Sequence, residues 1–207
     1  MKQYAFFFDS NACSGCKTCQ IACRDKHDLP ARVQWRRVYE VAGGSWKQDA
    51  KGNWKPEIVA YNLSMSCNHC EDAICVASCP TKALQKRQDG IVFIDPEKCM
   101  GCRYCEWACP YGAPQYNKTK GIMTKCDFCL DYLEQGKDPS CVASCPMRVL
   151  EFGEAEELFE KYGREHVYPM PDFRKTKPAF AVKKHARYND HESKSFEIIN
   201  REEINHA

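Results

Sequence analysis

Cys99-Met100-Gly101-Cys102-Arg103-Tyr104-Cys105-Glu106-Trp107-Ala108-Cys109-Pro110 is the stretch that decides the reading of this chain. Its cysteines follow the pattern C-x2-C-x2-C-x3-C. Ser14-Gly15-Cys16-Lys17-Thr18-Cys19-Gln20-Ile21-Ala22-Cys23, preceded by Cys13, repeats it. Two further quartets lie between and after: Cys67, Cys70, Cys75, Cys79 and Cys126, Cys129, Cys141, Cys145. Cys75-Val76-Ala77-Ser78-Cys79-Pro80 recurs letter for letter at Cys141-Val142-Ala143-Ser144-Cys145-Pro146. All sixteen cysteines belong to a quartet.

The C-x2-C-x2-C-x3-C run ending in proline is that of bacterial ferredoxins, which hold [4Fe–4S] cubanes. A cubane takes one thiolate per iron. Two-residue gaps let a tight loop place three sulfurs around one corner, and the fourth cysteine points away. Residues three or four apart share a helix face. The steps Cys19–Cys23, Cys75–Cys79, Cys105–Cys109 and Cys141–Cys145 therefore predict a short helix leaving each loop. Pro80, Pro110 and Pro146 end three quartets with a turn; Arg24 stands at that place in the first. Disulfides and zinc are the competing uses of cysteine. Disulfide scaffolds are usually small secreted chains. Paired C-x2-C steps suit zinc, but zinc needs neither the third cysteine nor the C-x3-C-P ending.

In two-cluster ferredoxins the fourth cysteine of a run ligates the other cluster. Cys79 and Cys99 are separated by one short hairpin, so quartets two and three are expected to exchange. One centre is then Cys67, Cys70, Cys75 with Cys109, and another Cys99, Cys102, Cys105 with Cys79. By elimination and by the internal repeat, the outer quartets exchange as well: Cys13, Cys16, Cys19 with Cys145, and Cys126, Cys129, Cys141 with Cys23. Local ligation, each quartet holding its own cluster, stays open.

The lead-in strands Phe6-Phe7-Phe8-Asp9 and Val92-Phe93-Ile94-Asp95 also match. The fold expected is α+β, with duplicated ferredoxin-like modules. Residues 1–23 and 110–152 form an outer module and 67–109 an inner one. Residues 24–66 carry no cysteine and read as an inserted β-hairpin, with strands at 32–41 and 57–63 and turns at Gly43-Gly44 and Lys51-Gly52-Asn53. Short helices are expected around 130–134 and over Glu154–Tyr162, the latter closed by Gly163. The polar tail, 153–207, is expected to be solvated or laid over a partner.

The chain has 207 residues, 30 basic and 28 acidic, for a net charge of +2. That balance argues against nucleic acid as a partner. No apolar run is long enough to span a bilayer, and the N-terminus is too short in apolar residues for a signal h-region. Arg36-Arg37 lies too far inside the chain for a twin-arginine signal. A cytoplasmic location follows by default, with export alongside a signal-bearing partner left open. No nucleophile set, phosphate loop or HExxH is present, so no catalysis is expected.

Cations beside cluster cysteines should favour the more negative, reduced cluster. Arg103 is the favoured candidate among Lys17, Arg24, Arg103 and Lys125; Lys17 reads as a surface charge. Tyr104, Trp107 and Tyr111 are expected to pack against clusters and exclude water. His69 is read as a loop histidine, or as a donor or partner contact.

Cys67-Asn68-His69-Cys70-Glu71-Asp72, Gly101-Cys102-Arg103-Tyr104-Cys105 and the run Ala108-Cys109-Pro110-Tyr111-Gly112-Ala113-Pro114-Gln115-Tyr116-Asn117 resemble the iron–sulfur subunit of the dimethyl sulfoxide reductase family. The likeness extends to about residue 185. It implies four [4Fe–4S] clusters, a molybdopterin-containing catalytic subunit and often a membrane anchor that oxidises quinol. Single electrons would pass between these partners through the chain, peripheral to a membrane. Some relatives replace a third-quartet cysteine with tryptophan; all four are present here. Other complexes using the same wire, such as formate dehydrogenase, hydrogenase-linked or polysulfide/thiosulfate systems, stay open.

Overall fold

The computed structural model describes residues 2–188 and 196–205; the remainder of the expected partner-binding tail lies outside them. In chain order, β1 (Tyr4–Asp9) leads into the first quartet and α1 (Thr18–Lys26) leaves it. β2 (Arg37–Gln48) and β3 (Trp54–Met65) follow. α2 (Ile74–Ala77) belongs to the second quartet, and β4 (Leu84–Lys86) and β5 (Val92–Ile94) connect it to α3 (Tyr104–Ala108) of the third. β6 (Gln115–Asn117) and β7 (Ile122–Thr124) lead to α4 (Leu130–Glu134) and α5 (Ser140–Ala143) of the fourth. β8 (Leu150–Glu154), α6 (Ala155–Tyr162), β9 (Phe180–Lys183), β10 (Phe196–Ile198) and α7 (Arg201–Asn205) complete the order.

β1 is a continuous apolar run because it is buried on both faces. Phe6 and Phe8 face the main core. Ala5 and Phe7 face α6, against Ala155 and Leu158, and the Phe7 ring stacks on Tyr162 at 3.5 Å. β1 is the middle strand of the sheet β8-β1-β9, antiparallel to β8 and parallel to β9. The strand leaving the fourth quartet thus pairs with the strand entering the first. β4 and β5 do the same between the second and third quartets.

The four loops share one backbone device. The residue before each second cysteine has positive φ: Gly15 (70°), His69 (42°), Gly101 (71°) and Phe128 (69°). This left-handed step reverses the chain so that successive sulfurs converge, and L side chains adopt it rarely. At position 101 only glycine fits, since a Cβ would lie 2.4 Å from the Gly121 carbonyl oxygen. Lys82 (55°) and Arg148 (53°), each three residues past the last cysteine of its quartet, also match.

β2 and β3 form a long antiparallel arm in register from Arg37↔Met65 to Gln48↔Trp54. Its base is buried through Val38, Val41, Val59, Tyr61 and Leu63, and its tip exposes Trp46 and Trp54. Two expectations are corrected here. β2 begins at Arg37, not Arg32, and Gly43 and Gly44 lie within it. The turn is made at 49–53, where the Asp49 carboxylate accepts the backbone N–H groups of Lys51 and Asn53 at 2.9 and 3.0 Å.

The described part of the tail is also corrected. β9 completes the β1 sheet, with Phe180, Ala181 and Val182 buried, and β10 adds to the free edge of β2. Polar composition concealed a four-residue strand, largely apolar, whose partner lies at the other end of the chain.

Candidate metal centres

The cysteines gather into four groups, three of them around cavities. One cavity is lined by Cys13, Cys16, Cys19 and Cys145, with Phe8, Val38 and Leu150. A second is lined by Cys67, Cys70, Cys75 and Cys109, with Val92, Tyr111 and Ala113. A third is lined by Cys79, Cys99, Cys102 and Cys105, with Leu84, Ile94 and Met123. Cys23, Cys126, Cys129 and Cys141 are all buried and sense one another's charge. None of the sixteen is in a disulfide.

Donors are aimed at sulfurs in every group; in the second cavity the Thr176 hydroxyl serves Cys70 and the backbone N–H groups of Ala113 and Tyr111 serve Cys109. The backbone N–H of Gly15 reaches Cys13 Sγ at 3.4 Å, that of Leu84 reaches Cys79 at 3.5 Å, that of Met123 reaches Cys99 at 3.4 Å and that of Phe128 reaches Cys126 at 3.5 Å. Thr18 Oγ1 donates to Cys16 at 3.3 Å, and Ser64 Oγ lies 3.3 Å from Cys19. His27 Nε2 sits 3.3 Å from Cys129 Sγ, its ring held 4.4 Å from Trp35. A hydrogen-bond donor favours the anionic form of its acceptor, so this geometry suits thiolates. Burial acts against ionisation: it pushes the Cys70, Cys75 and Cys105 thiols up to about 12 and those of Cys13 and Cys129 up to about 11. Exposed Cys16 is the opposite case, held below the ordinary thiol value by the Thr18 hydroxyl. Thiols that are both buried and ringed by donors fit an electropositive centre, which must displace their protons on binding.

Arg103 does not reach a sulfur: its guanidinium lies at the surface, donating to Glu106 at 2.7 and 2.9 Å. Its α-carbon is committed to the left-handed step that starts α3, which turns the side chain outward. Tyr104 and Trp107, on the short helix α3, are 52% and 72% exposed, whereas Cys105 is buried. Tyr111 is buried against the second cavity, its hydroxyl 2.9 Å from Thr176 Oγ1. Lys17 is a half-exposed ion-paired side chain, 2.8 Å from Glu40 and 2.5 Å from Glu203. Arg24 donates through Nε to the Leu29 carbonyl at 3.3 Å.

His69 is 1% exposed. Its Nδ1 accepts the Val92 N–H at 3.0 Å, which places the proton on Nε2, and Nε2 has no partner. Burial, reinforced by the Lys125 cation, holds its pKa well below the usual imidazole value, so the ring is neutral. It is a core residue and donates to no sulfur.

The buried cations are elsewhere. Lys125, 3% exposed, donates through Nζ to the carbonyls of Val92 and Cys126. Arg37 donates to the carbonyls of Tyr111 and Gly112 at 2.8 and 3.0 Å. Arg36 is more deeply buried than either. Lys125 was visible beside Cys126 in the sequence. Arg36, Arg37 and His27 carried no local signal there, since pairings distant along the chain bring them to the cysteines.

With this geometry in hand, a family model described as "4Fe-4S dicluster domain" matches residues 58–155. The protein is thus an iron–sulfur protein, and the zinc and disulfide readings fall away. It is 54% identical over 185 residues to the B subunit of anaerobic dimethyl sulfoxide reductase of Escherichia coli (strain K12), covering 89% of this sequence and 90% of the relative. It is 50% identical over 203 residues to YnfG of the same strain, a probable anaerobic dimethyl sulfoxide reductase subunit, covering 98% of each. It is 34% identical over 178 residues to the thiosulfate reductase electron transfer subunit PhsB of Salmonella typhi, covering 83% and 88%. The protein belongs to the family of anaerobic dimethyl sulfoxide reductase iron–sulfur subunits.

Proposed function

We propose that this chain is the electron-transfer subunit of a reductase of the dimethyl sulfoxide reductase type, carrying four [4Fe–4S] clusters and no substrate chemistry of its own. The ligand sets are Cys13, Cys16, Cys19, Cys145; Cys23, Cys126, Cys129, Cys141; Cys67, Cys70, Cys75, Cys109; and Cys79, Cys99, Cys102, Cys105. The observation that carries this reading is the gathering of three cysteines of one quartet with the last of another around a single cavity. When bound, each cluster accepts and returns one electron at a time.

The protein's own part is spacing, dryness and charge. Cys19 feels the charge of Cys141 and Cys145, and Cys126 that of Cys67. The first set therefore adjoins the second, and the second the third. α2 and α3 pack together and carry the last links between the third set and the fourth. This supports a linear row. The pairing of β8 with β1 and of β4 with β5 supports two modules, 1–23 with 110–152 and 67–109, with the 24–66 arm inserted between their parts. Exposed apolar side chains stand at both ends of the row: Ile21 and Met147 at the first set, Met100, Tyr104 and Trp107 at the fourth. Such patches mark docking surfaces.

The partners in this reading are a molybdopterin-containing catalytic subunit and a quinol-oxidising membrane anchor. No helix among the described residues is long and apolar enough to cross a membrane, so membrane attachment would be peripheral, through that anchor. Anaerobic purification of the intact complex tests the proposal. Sixteen irons and sixteen labile sulfides per chain (four per cubane), with molybdenum in a co-purifying large subunit, are expected. Zinc in place of iron, or a large subunit without molybdenum, contradicts it.

A further inference from the structure

Arg36 is 1% exposed, and no carboxylate pairs with it among the described residues. Nη1 donates to Ser64 Oγ at 3.1 Å and lies 3.4 Å from the Ser64 carbonyl oxygen. Nη2 donates to Ser66 Oγ at 3.0 Å. The guanidinium carbon stands 4.8 Å from the centre of the Phe6 ring. Nε has no hydrogen-bond partner among the described residues. A guanidinium is always charged in proteins, and a buried charge is paired or strongly destabilising. Two hydroxyls, one carbonyl and a ring do not neutralise it. The balancing anion has to come from what surrounds it.

Its charge is felt by cysteines. Burial opposes the charge on Arg36, yet Cys141, Cys19, Cys126 and Cys23 together hold it above the ordinary arginine range. The influence is mutual, for Arg36 lowers both Cys19 and Cys23. Ser64 links the two, its hydroxyl bonded to Nη1 and 3.3 Å from Cys19 Sγ. Of these four cysteines, Cys19 belongs to the first set, while Cys23, Cys126 and Cys141 belong to the second. The base of the β2–β3 arm thus sets a single fixed cation between two groups of thiols, and α1 and α5, which pack on each other, carry those thiols to it.

We propose that Arg36 is the shared counter-cation of the two clusters held by the first and second cysteine sets, and a positioning residue that keeps both at raised potential for transfer between them. This rests on the four-cluster reading above. A tetrathiolate cluster is an anion, more negative when reduced, and a buried cation favours the more negative state. Because Arg36 faces both sets, its removal should move two potentials together and leave the clusters of the third and fourth sets in place.

The test uses the full chain in its complex, with EPR-monitored redox titration and counts of iron and labile sulfide. In Arg36→Gln, two of the four midpoint potentials should fall and two should stay. Arg36→Lys keeps the charge and should hold all four close to the parent. Ser66→Asp sets a carboxylate against Nη2, neutralises the guanidinium where it stands, and should lower the same two potentials. If the glutamine variant does not load, the lysine and aspartate variants decide the matter. Four unmoved potentials in loaded Arg36→Gln or Ser66→Asp, an equal shift of all four, or a lysine variant displaced as far as the glutamine one would overturn the inference. Absence of labile sulfide from the parent complex would overturn the four-cluster reading instead, which keeps the two failures distinct.

Discussion

His69 and Phe128 occupy the same step of two different quartets, both in left-handed backbone, and their rings meet edge to face 5.1 Å apart. Phe128 in turn stacks on Phe6 of β1 at 4.0 Å. The second and fourth loops are therefore joined through the residues that turn them, next to the strand that organises the core.

Replacing His69 tests that junction. His69→Phe leaves the Val92 N–H buried without an acceptor, which should cost about 1–3 kcal/mol. His69→Asn keeps a residue type that tolerates the left-handed step and should cost less. Thermal melting followed by circular dichroism measures both. A phenylalanine variant as stable as the parent contradicts the account.

Exchange of the fourth ligand predicts a pattern of non-additivity. Cys145→Ser and Cys13→Ser should damage the same cluster, so the double variant loses no more iron than the worse single one. Cys145→Ser combined with Cys126→Ser should lose two clusters' worth. Under local ligation the two doubles would behave the other way round, and iron and sulfide counts distinguish them.

The tail is part of the core. Phe180 is 4% exposed, in the parallel strand beside Phe6. Phe180→Ala should cost about 3–5 kcal/mol of stability. Melting of the variant within about 1 kcal/mol of the parent would show that β9 is dispensable.

Trp107 has the reverse role. At 72% exposure, Trp107→Ser should change stability by no more than about 0.5 kcal/mol. If the patch of Met100, Tyr104 and Trp107 docks a partner, the variant should weaken co-purification while keeping full cluster content. Undiminished assembly of the complex would remove this patch from the interface.

The sequence carried the centres because they are mostly local. C-x2-C-x2-C-x3-C encodes a loop and one helical turn within a dozen residues, and the repeat encodes it again. The helices at Leu130–Glu134 and Ala155–Tyr162 were legible for the same reason. Tyr104 and Trp107 were expected beside the clusters because they sit inside a ligand run, whereas the phase of α3 leaves much of both rings exposed.

Thus the thiols, their spacing and the short helices were written in the chain itself, since each depends on neighbours a few residues away. Tertiary structure alone decided which charges and donors reach the sulfurs. Arg36, His27 and Ser64 arrive through pairings that join distant segments, and β9 finds β1 across most of the sequence. Such contacts depend on register between separated strands, and no local pattern of residues specifies that register.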